Sequence, residues 1–324
     1  MELPSALRQA VDRFLQGTPL EQLRAASERL SQRYRSETRD GRLHLDEVLA
    51  VKAYLAARLP ATYAAIRASM SYVTEAAPDF APASLIDIGA GPGSVLWAAA
   101  DCWEGLEKAT MIEASEAVRN TGKTLAADAA LPAAEWLAGD ATKSMPTVEN
   151  ADLVTLSYVL DELQPDAIGP LLDRLWTLTL GMLLIVEPGT PAGWARILAA
   201  RDRLIAAGAH ILAPCPHQET CPLAAPDWCH FSRRVARSRL HRLTKGADVP
   251  WEDEKFIYLA ASREPAADRA ARILAPPRTA KGRIGLKLCF PDGAANDEIV
   301  SKRDGELFRR ARRLDWGDRL PVES

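Results

Sequence analysis

The chain has 324 residues, 48% of them hydrophobic and 26% charged, with a formal net charge of -3. That length can bury a self-sufficient core as one large domain with extensions or as two modest domains, so the five cysteines are not required as staples. The near-neutral balance excludes a uniformly basic or acidic protein, and no apolar run is long enough to cross a bilayer as a helix. The opening stretch MELPSALRQAVDRFLQG carries an early acid and no basic segment leading into an apolar one, and it lacks the Arg/Ser-rich, acid-poor look of an organellar presequence. The expectation is a cytoplasmic protein whose thiols stay reduced.

Residues 1–80 read as a helical cap. LEQLRAASERLSQRYR and HLDEVLAVKAYLAARLPATYAAIRASMSYV repeat apolar residues every three or four positions, and Pro78 and Pro82 punctuate the boundary. In residues 81–263 the pattern changes to short apolar runs separated by helical stretches. SLIDIGA, KATMIEAS, AEWLAGDA, ADLVTLSYV and GMLLIVEPG each predict a buried parallel strand, and KFIYLAASR at 255–263 a late strand of the same sheet. This alternation predicts an α/β fold with a doubly wound, Rossmann-like sheet. Residues 208–250 are then an insertion, and the cysteine cluster lies in it. Residues 264–324 form a small extension in which RIGLKLCF and EIVSKR read as strands around a PDG turn and ELFRRARRL as a short basic helix.

The string LIDIGAGPGS places Asp87 at a strand end, followed by Gly89, Gly91 and Gly93 turning into a helix. Such a turn lets a ligand approach backbone N–H groups without side chains in the way. A dinucleotide fingerprint needs a small residue at position 94, where Ser94 is tolerable but off-pattern. The D-x-G-x-G-x-G reading fits unadjusted, and it resembles the first motif of class I S-adenosylmethionine-dependent methyltransferases. That resemblance implies that Glu113, ending the second strand, accepts the ribose hydroxyls and that Asp140, ending the third, accepts the adenine amino group. No catalytic base is evident, and positioning alone can drive much of a methyl transfer. Tyr158, Asp161 and Glu162 border the expected pocket and Glu187 lies at the end of the fifth strand; capping and loop shaping explain them better than catalysis.

PCPHQETCPLAAPDWCHF spaces Cys215, Cys221 and Cys229 as Cys-x5-Cys-x7-Cys, and Cys289 follows in LKLCF. Zinc ribbons bring ligands as close pairs, which this spacing lacks. Four thiolates at irregular spacing suit an iron-sulfur cluster, whose ligands bind separate corners. A zinc site of three cysteines with His217 or His230 is the competitor. Cys102 stands apart as a structural thiol. A radical S-adenosylmethionine enzyme would need a Cys-x3-Cys-x2-Cys run that is absent from the sequence.

Positive charge gathers in the last third. Arg233, Arg234, Arg237, Arg239, Arg242 and Lys245 follow the third cysteine, and Lys302, Arg303, Arg309, Arg310, Arg312 and Arg313 lie in the tail. Of these, Arg233, Arg234, Arg237, Lys302, Arg309, Arg310, Arg312 and Arg313 are the expected RNA contacts.

Together, CPH-x3-CPL-x5-WCHFS, LIDIGAGPGS, SYVLDEL, LIVEPGTPAG, GRIGLKLC, SKRDGE and RRLDWGD resemble the methyltransferase-like family of the mitochondrial small ribosomal subunit, over residues 40 to 320. The resemblance implies a methyltransferase fold, association with small-subunit rRNA or the assembling small subunit, and a 4Fe-4S cluster on Cys215, Cys221, Cys229 and Cys289. It implies bound S-adenosyl-L-methionine, but family members differ in whether methylation is established. A non-catalytic RNA-binding assembly protein with structural zinc or an iron-sulfur site is therefore the alternative. The mitochondrial setting is not expected to transfer.

Overall fold

The structure is a computed structural model that describes residues 1–36, 43–267 and 269–321. The cap comprises α1 (Ser5–Leu15), α2 (Leu20–Arg35), α3 (Val48–Ala57) and α4 (Leu59–Ala76). The long helical stretch expected from apolar spacing is thus two helices. Pro60 lacks the N–H that would continue the ladder from α3, so the chain breaks at Arg58 and restarts with proline in the first turn of α4. α4 buries most of its side chains and packs on the following sheet, which makes the cap part of the main core.

The central region runs β1 (Ser84–Ile88), α5 (Ser94–Ala100), β2 (Lys108–Glu113), α6 (Glu116–Ala126), β3 (Ala133–Ala138), β4 (Ala151–Ser157), α7 (Pro165–Leu178), β5 (Thr179–Pro188) and α8 (Pro191–Ala206). β6 (His210–Ala213), β7 (Phe231–Ala236), α9 (Arg239–Lys245) and β8 (Trp251–Ser262) follow. The sheet order is β3-β2-β1-β4-β5-β8-β6, with β7 also on β8. The first five strands are parallel, and β8 is antiparallel to β5, β6 and β7. This is the Rossmann-like sheet of class I methyltransferases. The chain winds outward from β1 in both directions, so the carboxyl ends of β1 and β4 face a crevice, the usual ligand position in open α/β sheets.

The expected insertion at 208–250 is partly sheet. β6 and β7 both hydrogen-bond to β8, so only residues 214–230 loop away from the sheet edge, and α9 leaves it again. β7 was hidden because FSRRVA is polar and basic, as an edge strand can be, and β6 because HILA is only four residues long.

The extension holds β9 (Ala271–Ile273), β10 (Arg278–Ala280), β11 (Arg283–Cys289), β12 (Ala295–Ser301), a 3-10 turn (Lys302–Asp304), α10 (Gly305–Ala311) and β13 (Arg319–Leu320). β11 pairs with β12 along its full length on one edge and with β10 and β9 in turn on the other. Ile273, Ile284, Leu286, Leu288, Val300 and Ala311 form its own small core. Cys289, at the end of β11, belongs instead to the main core.

Candidate functional site

A cavity of about 630 Å³ opens at the crevice, within the size range of small-ligand sites. Asp87, Gly89, Gly91, Glu113 and Asp140 line it, which brings the three strand-end acids and two of the predicted glycines together. Gly93 opens α5 behind the loop, next to Trp136. Gly89, Gly91 and Gly93 all hold positive φ. A Cβ on Gly89 would lie 2.5 Å from Val159 Cγ2, so the turn tolerates only glycine there.

Asp87 is buried within β1 and accepts a hydrogen bond from Thr155 Oγ1 at 2.7 Å. Burial pushes its carboxyl up to about 8. Glu113 accepts from the Gly91 N–H (3.0 Å) on one oxygen and from the Ser115 N–H (2.8 Å) on the other, so it ties the glycine turn to α6. Burial raises its pKa as well. Asp140 is partly exposed and accepts from the N–H groups of Thr142 and Lys143 and from Thr142 Oγ1. Burial would raise its pKa, but those donors outweigh it and hold the carboxyl below its usual value.

Beside Tyr158, which the sequence did place at the pocket, the cavity wall holds several residues that it missed. Arg58 grips Glu254 with both guanidinium nitrogens (3.3 and 3.1 Å), and Tyr158 donates to the same carboxylate at 3.1 Å. Tyr34, His44, Tyr54 and Lys245 also line the cavity. Tyr158 has φ +58, the only positive-φ residue other than glycine among the described residues. Such a conformation costs on the order of 1 kcal/mol or more and persists where surroundings enforce it. The available signal was the charged Arg58 between two apolar helices, which periodicity alone treats as a surface position. Glu187 is fully buried and accepts from the Leu160 N–H and Arg196 Nε, both at 3.0 Å. It shapes the loop after β4, as expected, and burial pushes it up to about 8. Glu162 lines the cavity, pushed up to about 8 by burial and the neighbouring Asp161.

The four cysteines Cys215, Cys221, Cys229 and Cys289 border one small apolar hollow, walled by Trp194, Ile197, Leu223, Ile257 and Leu274. Cys102 lies apart at the end of α5. Burial pushes Cys289 up to about 12, and it raises Cys215 and Cys229 too. Among the described residues no group of three or more His, Cys, Asp or Glu side chains is arranged to hold a metal ion. Thiols that bind separate corners of a cluster do not need that spacing. The donor chemistry fits such a group: free soft thiols, a dry wall, and buried arginines beside them. His217 Nε2 sits 3.4 Å from Cys289 Sγ, whereas His230 is stacked on Trp228 and edge-on to Trp316.

The expected RNA contacts divide into two sets. Arg234 pairs with Asp253 (2.8 Å), Arg237 with Glu252 (2.9 Å), and Arg233 donates to Tyr72 Oη (2.8 Å) while lying over its ring. The charges of Arg234 and Arg237 are thus answered inside the fold, whereas Arg233 is held by a neutral phenol. Lys302, Arg309, Arg310, Arg312 and Arg313 are exposed on the turn and helix of the extension, and Arg309 pairs with Glu306.

The family profile described as "Mitochondrial small ribosomal subunit Rsm22" matches residues 48–321. The chain belongs to that family. A human relative, "Ribosome assembly protein METTL17, mitochondrial", is 30% identical over 288 residues, 83% of this chain and 62% of its own length. A fission yeast relative, "Rsm22-cox11 tandem protein 2, mitochondrial", is 28% identical over 198 residues, 47% of this chain and 26% of its own length. The chain thus spans less than two thirds of these relatives. Among solved structures, magnesium protoporphyrin IX methyltransferase from Synechocystis PCC 6803 with bound SAH matches at TM-score 0.42 and 14% identity, covering 72% of this chain and 94% of that one. Ribosomal protein L11 methylase from Lactobacillus delbrueckii subsp. bulgaricus matches at 0.37 and 14%, covering 60% and 77%. The family and both relatives carry mitochondrial names, and this overturns the cytoplasmic expectation.

Proposed function

We propose that this family member is a methyltransferase-like assembly factor of the small ribosomal subunit, with S-adenosyl-L-methionine in the glycine-floored cavity and a 4Fe-4S centre on Cys215, Cys221, Cys229 and Cys289. The observation that carries the reading is the cavity at the β1/β4 crevice, where Asp87, Glu113 and Asp140 converge over glycine backbone. Glu113 and Asp140 would hold the ribose and adenine, and Gly89 and Gly91 leave room for the rest. Bound there, S-adenosylmethionine would supply an electrophilic methyl group. The protein's part is to orient it and keep water away. The four thiols would hold the cluster, which would supply a rigid cross-link between the loop at 214–230 and β11. Lys302, Arg309, Arg310, Arg312 and Arg313 would meet RNA phosphates, which position an RNA without reading its sequence.

Calorimetry with S-adenosylmethionine and S-adenosylhomocysteine tests the first element, and absence of heat at millimolar ligand removes it. Iron and acid-labile sulfide measured after anaerobic purification test the second. A colourless protein with one zinc per chain refutes it. Crosslinking followed by RNA sequencing tests the third, and recovery of RNA other than small-subunit rRNA refutes it.

One observation favours a second reading, a non-catalytic platform. Both Glu113 oxygens already accept backbone N–H groups, and Arg58, Tyr158 and Glu254 form a closed network at the end where an acceptor would enter. Within that network each polar side chain is already engaged by another. On this reading the ligand stabilises the fold and methyl transfer to rRNA is not detected, with ligand binding retained.

A further inference from the structure

Two arginines are buried beside the cysteines, Arg201 at 2% and Arg272 at 3% exposure. Arg201, on α8, donates from Nη2 to the carbonyls of His217 (3.0 Å) and Glu219 (2.7 Å), both in the cysteine loop. Its Nη1 reaches Asp202 at 3.3 Å, a carboxylate 74% exposed to water, and its Nε has no partner among the described residues. Arg272, on β9, donates from Nε to the Pro214 carbonyl (3.1 Å) and from Nη1 to the Gly317 carbonyl (2.6 Å), beside the Tyr72 ring. The exposed Glu75 feels its field but does not reach ion-pair distance.

Burying a guanidinium costs several kcal/mol unless an anion answers it. Carbonyls take most of the hydrogen bonds of these two side chains, and the one carboxylate at ion-pair distance among the described residues is the water-exposed Asp202 on Arg201, which solvent screens; Arg272 has none. Among the described residues, the groups that share this pocket with Arg201 and can become anionic are the four thiols. Both guanidiniums act on the same sulfurs, Arg201 on Cys215 and Cys289, and Arg272 on Cys215, Cys229 and Cys289. With neutral thiols the pocket holds one guanidinium, Arg272, with no carboxylate at ion-pair distance among the described residues and another, Arg201, met only by the exposed Asp202. With four thiolates around a cluster, the net negative complex matches them.

We propose that Arg201 and Arg272 are the fixed counter-charges of the thiolate-bound centre, and that they set how tightly it is held and how readily it accepts an electron. The inference rests on the four-thiolate reading above. The guanidiniums are positioning residues: they hold the loop by its carbonyls and place positive charge next to the sulfurs. Fixed positive charge favours the more negative, reduced state, so its loss lowers the reduction potential.

The test uses the full chain, purified anaerobically, as wild type, Arg201→Gln, Arg272→Gln and Arg201→Lys. Iron and sulfide per chain, iron loss to a chelator, and the midpoint potential from a dithionite titration followed by visible absorption and paramagnetic resonance are measured. The glutamine variants are expected to bind iron about 10- to 100-fold more weakly, as for other outer partners of metal ligands. They should also titrate at a lower potential, and Arg201→Lys should recover most of the potential by restoring the charge. If a glutamine variant retains no cluster, Arg201→Lys decides: a loaded protein of near wild-type potential supports the charge role, and an empty one overturns it. Wild-type potential and iron retention in both glutamine variants also overturn it, leaving the arginines as loop scaffolding. A wild type without iron or sulfide overturns instead the four-thiolate reading beneath.

Discussion

Asp87→Asn offers a sharp check on the cavity's electrostatics. One Asp87 oxygen accepts from Thr155, and the other is buried without a partner among the described residues. Burial therefore lifts the carboxyl from 3.8 to about 8. Between those values the folded protein keeps a proton that the unfolded chain has released. Stability is fully present below the lower value and is lost as pH rises towards the upper one, at about 1.4 kcal/mol per pH unit. Asparagine cannot titrate, yet it retains an oxygen for Thr155. The stability difference between variant and wild type should shift in the variant's favour by about 4 kcal/mol between pH 5 and pH 8. Glu113, which also raises the Asp87 pKa, is present in both proteins and does not create the trend. Urea denaturation of both proteins at several pH values across that window measures it. A constant difference, or one that moves against the variant as pH rises, refutes the assignment of Asp87 as a buried, protonated acid.

Other substitutions probe the remaining elements. Gly89→Ala places a methyl 2.5 Å from Val159 Cγ2 at φ +66, so it should destabilise by about 2 kcal/mol or more, read as a lowered denaturation midpoint. Cys221→Ser and Cys289→Ser should each purify with markedly less iron than wild type, and full iron in both would show that the ligand set is misassigned. Arg312→Glu combined with Arg313→Glu should reduce crosslinking to RNA and flatten its salt dependence, whereas Arg234→Glu, whose charge already meets Asp253, should leave both close to wild type.

The legible parts of this chain are those in which local chemistry is strict. Every predicted strand of the parallel sheet forms, β1, β2, β4 and β5 as the apolar runs that burial demands; β3 forms too, but at the sheet edge and with none of its side chains fully buried, contrary to the expectation of a buried strand. The glycine turn was readable because positive φ at Gly89, Gly91 and Gly93 leaves glycine as the easy choice. The strand ends carrying Glu113 and Asp140 were readable by position. What escaped depends on contacts between remote segments. Arg58 and Glu254 are almost two hundred residues apart, and neither has a local pattern announcing that they meet. The basic run after Cys229 looked like free surface charge, yet its partners Glu252 and Asp253 lie across the β7–β8 ladder, where sequence gives no register. Arg201 and Arg272 passed as ordinary helix and strand charges, since burial of an arginine is decided by what folds over it.

The sheet edge also has a bearing on how the cysteine loop comes to order. β6 leaves β8 at Ala213 opposite Ala260, and β7 rejoins the same edge at Phe231 opposite Phe256. Four positions along an extended strand span roughly 13 Å. The two feet of the loop are therefore planted on a single rail before any sulfur finds its counterpart. Closing a loop between free ends costs chain entropy, and here the hydrogen bonds of β8 have already met that cost. Lengthening the loop tip should consequently be tolerated far better than a slip of one residue in either foot, because the slip would turn Phe231 out of its aromatic nest with Tyr72, Phe256 and Tyr258.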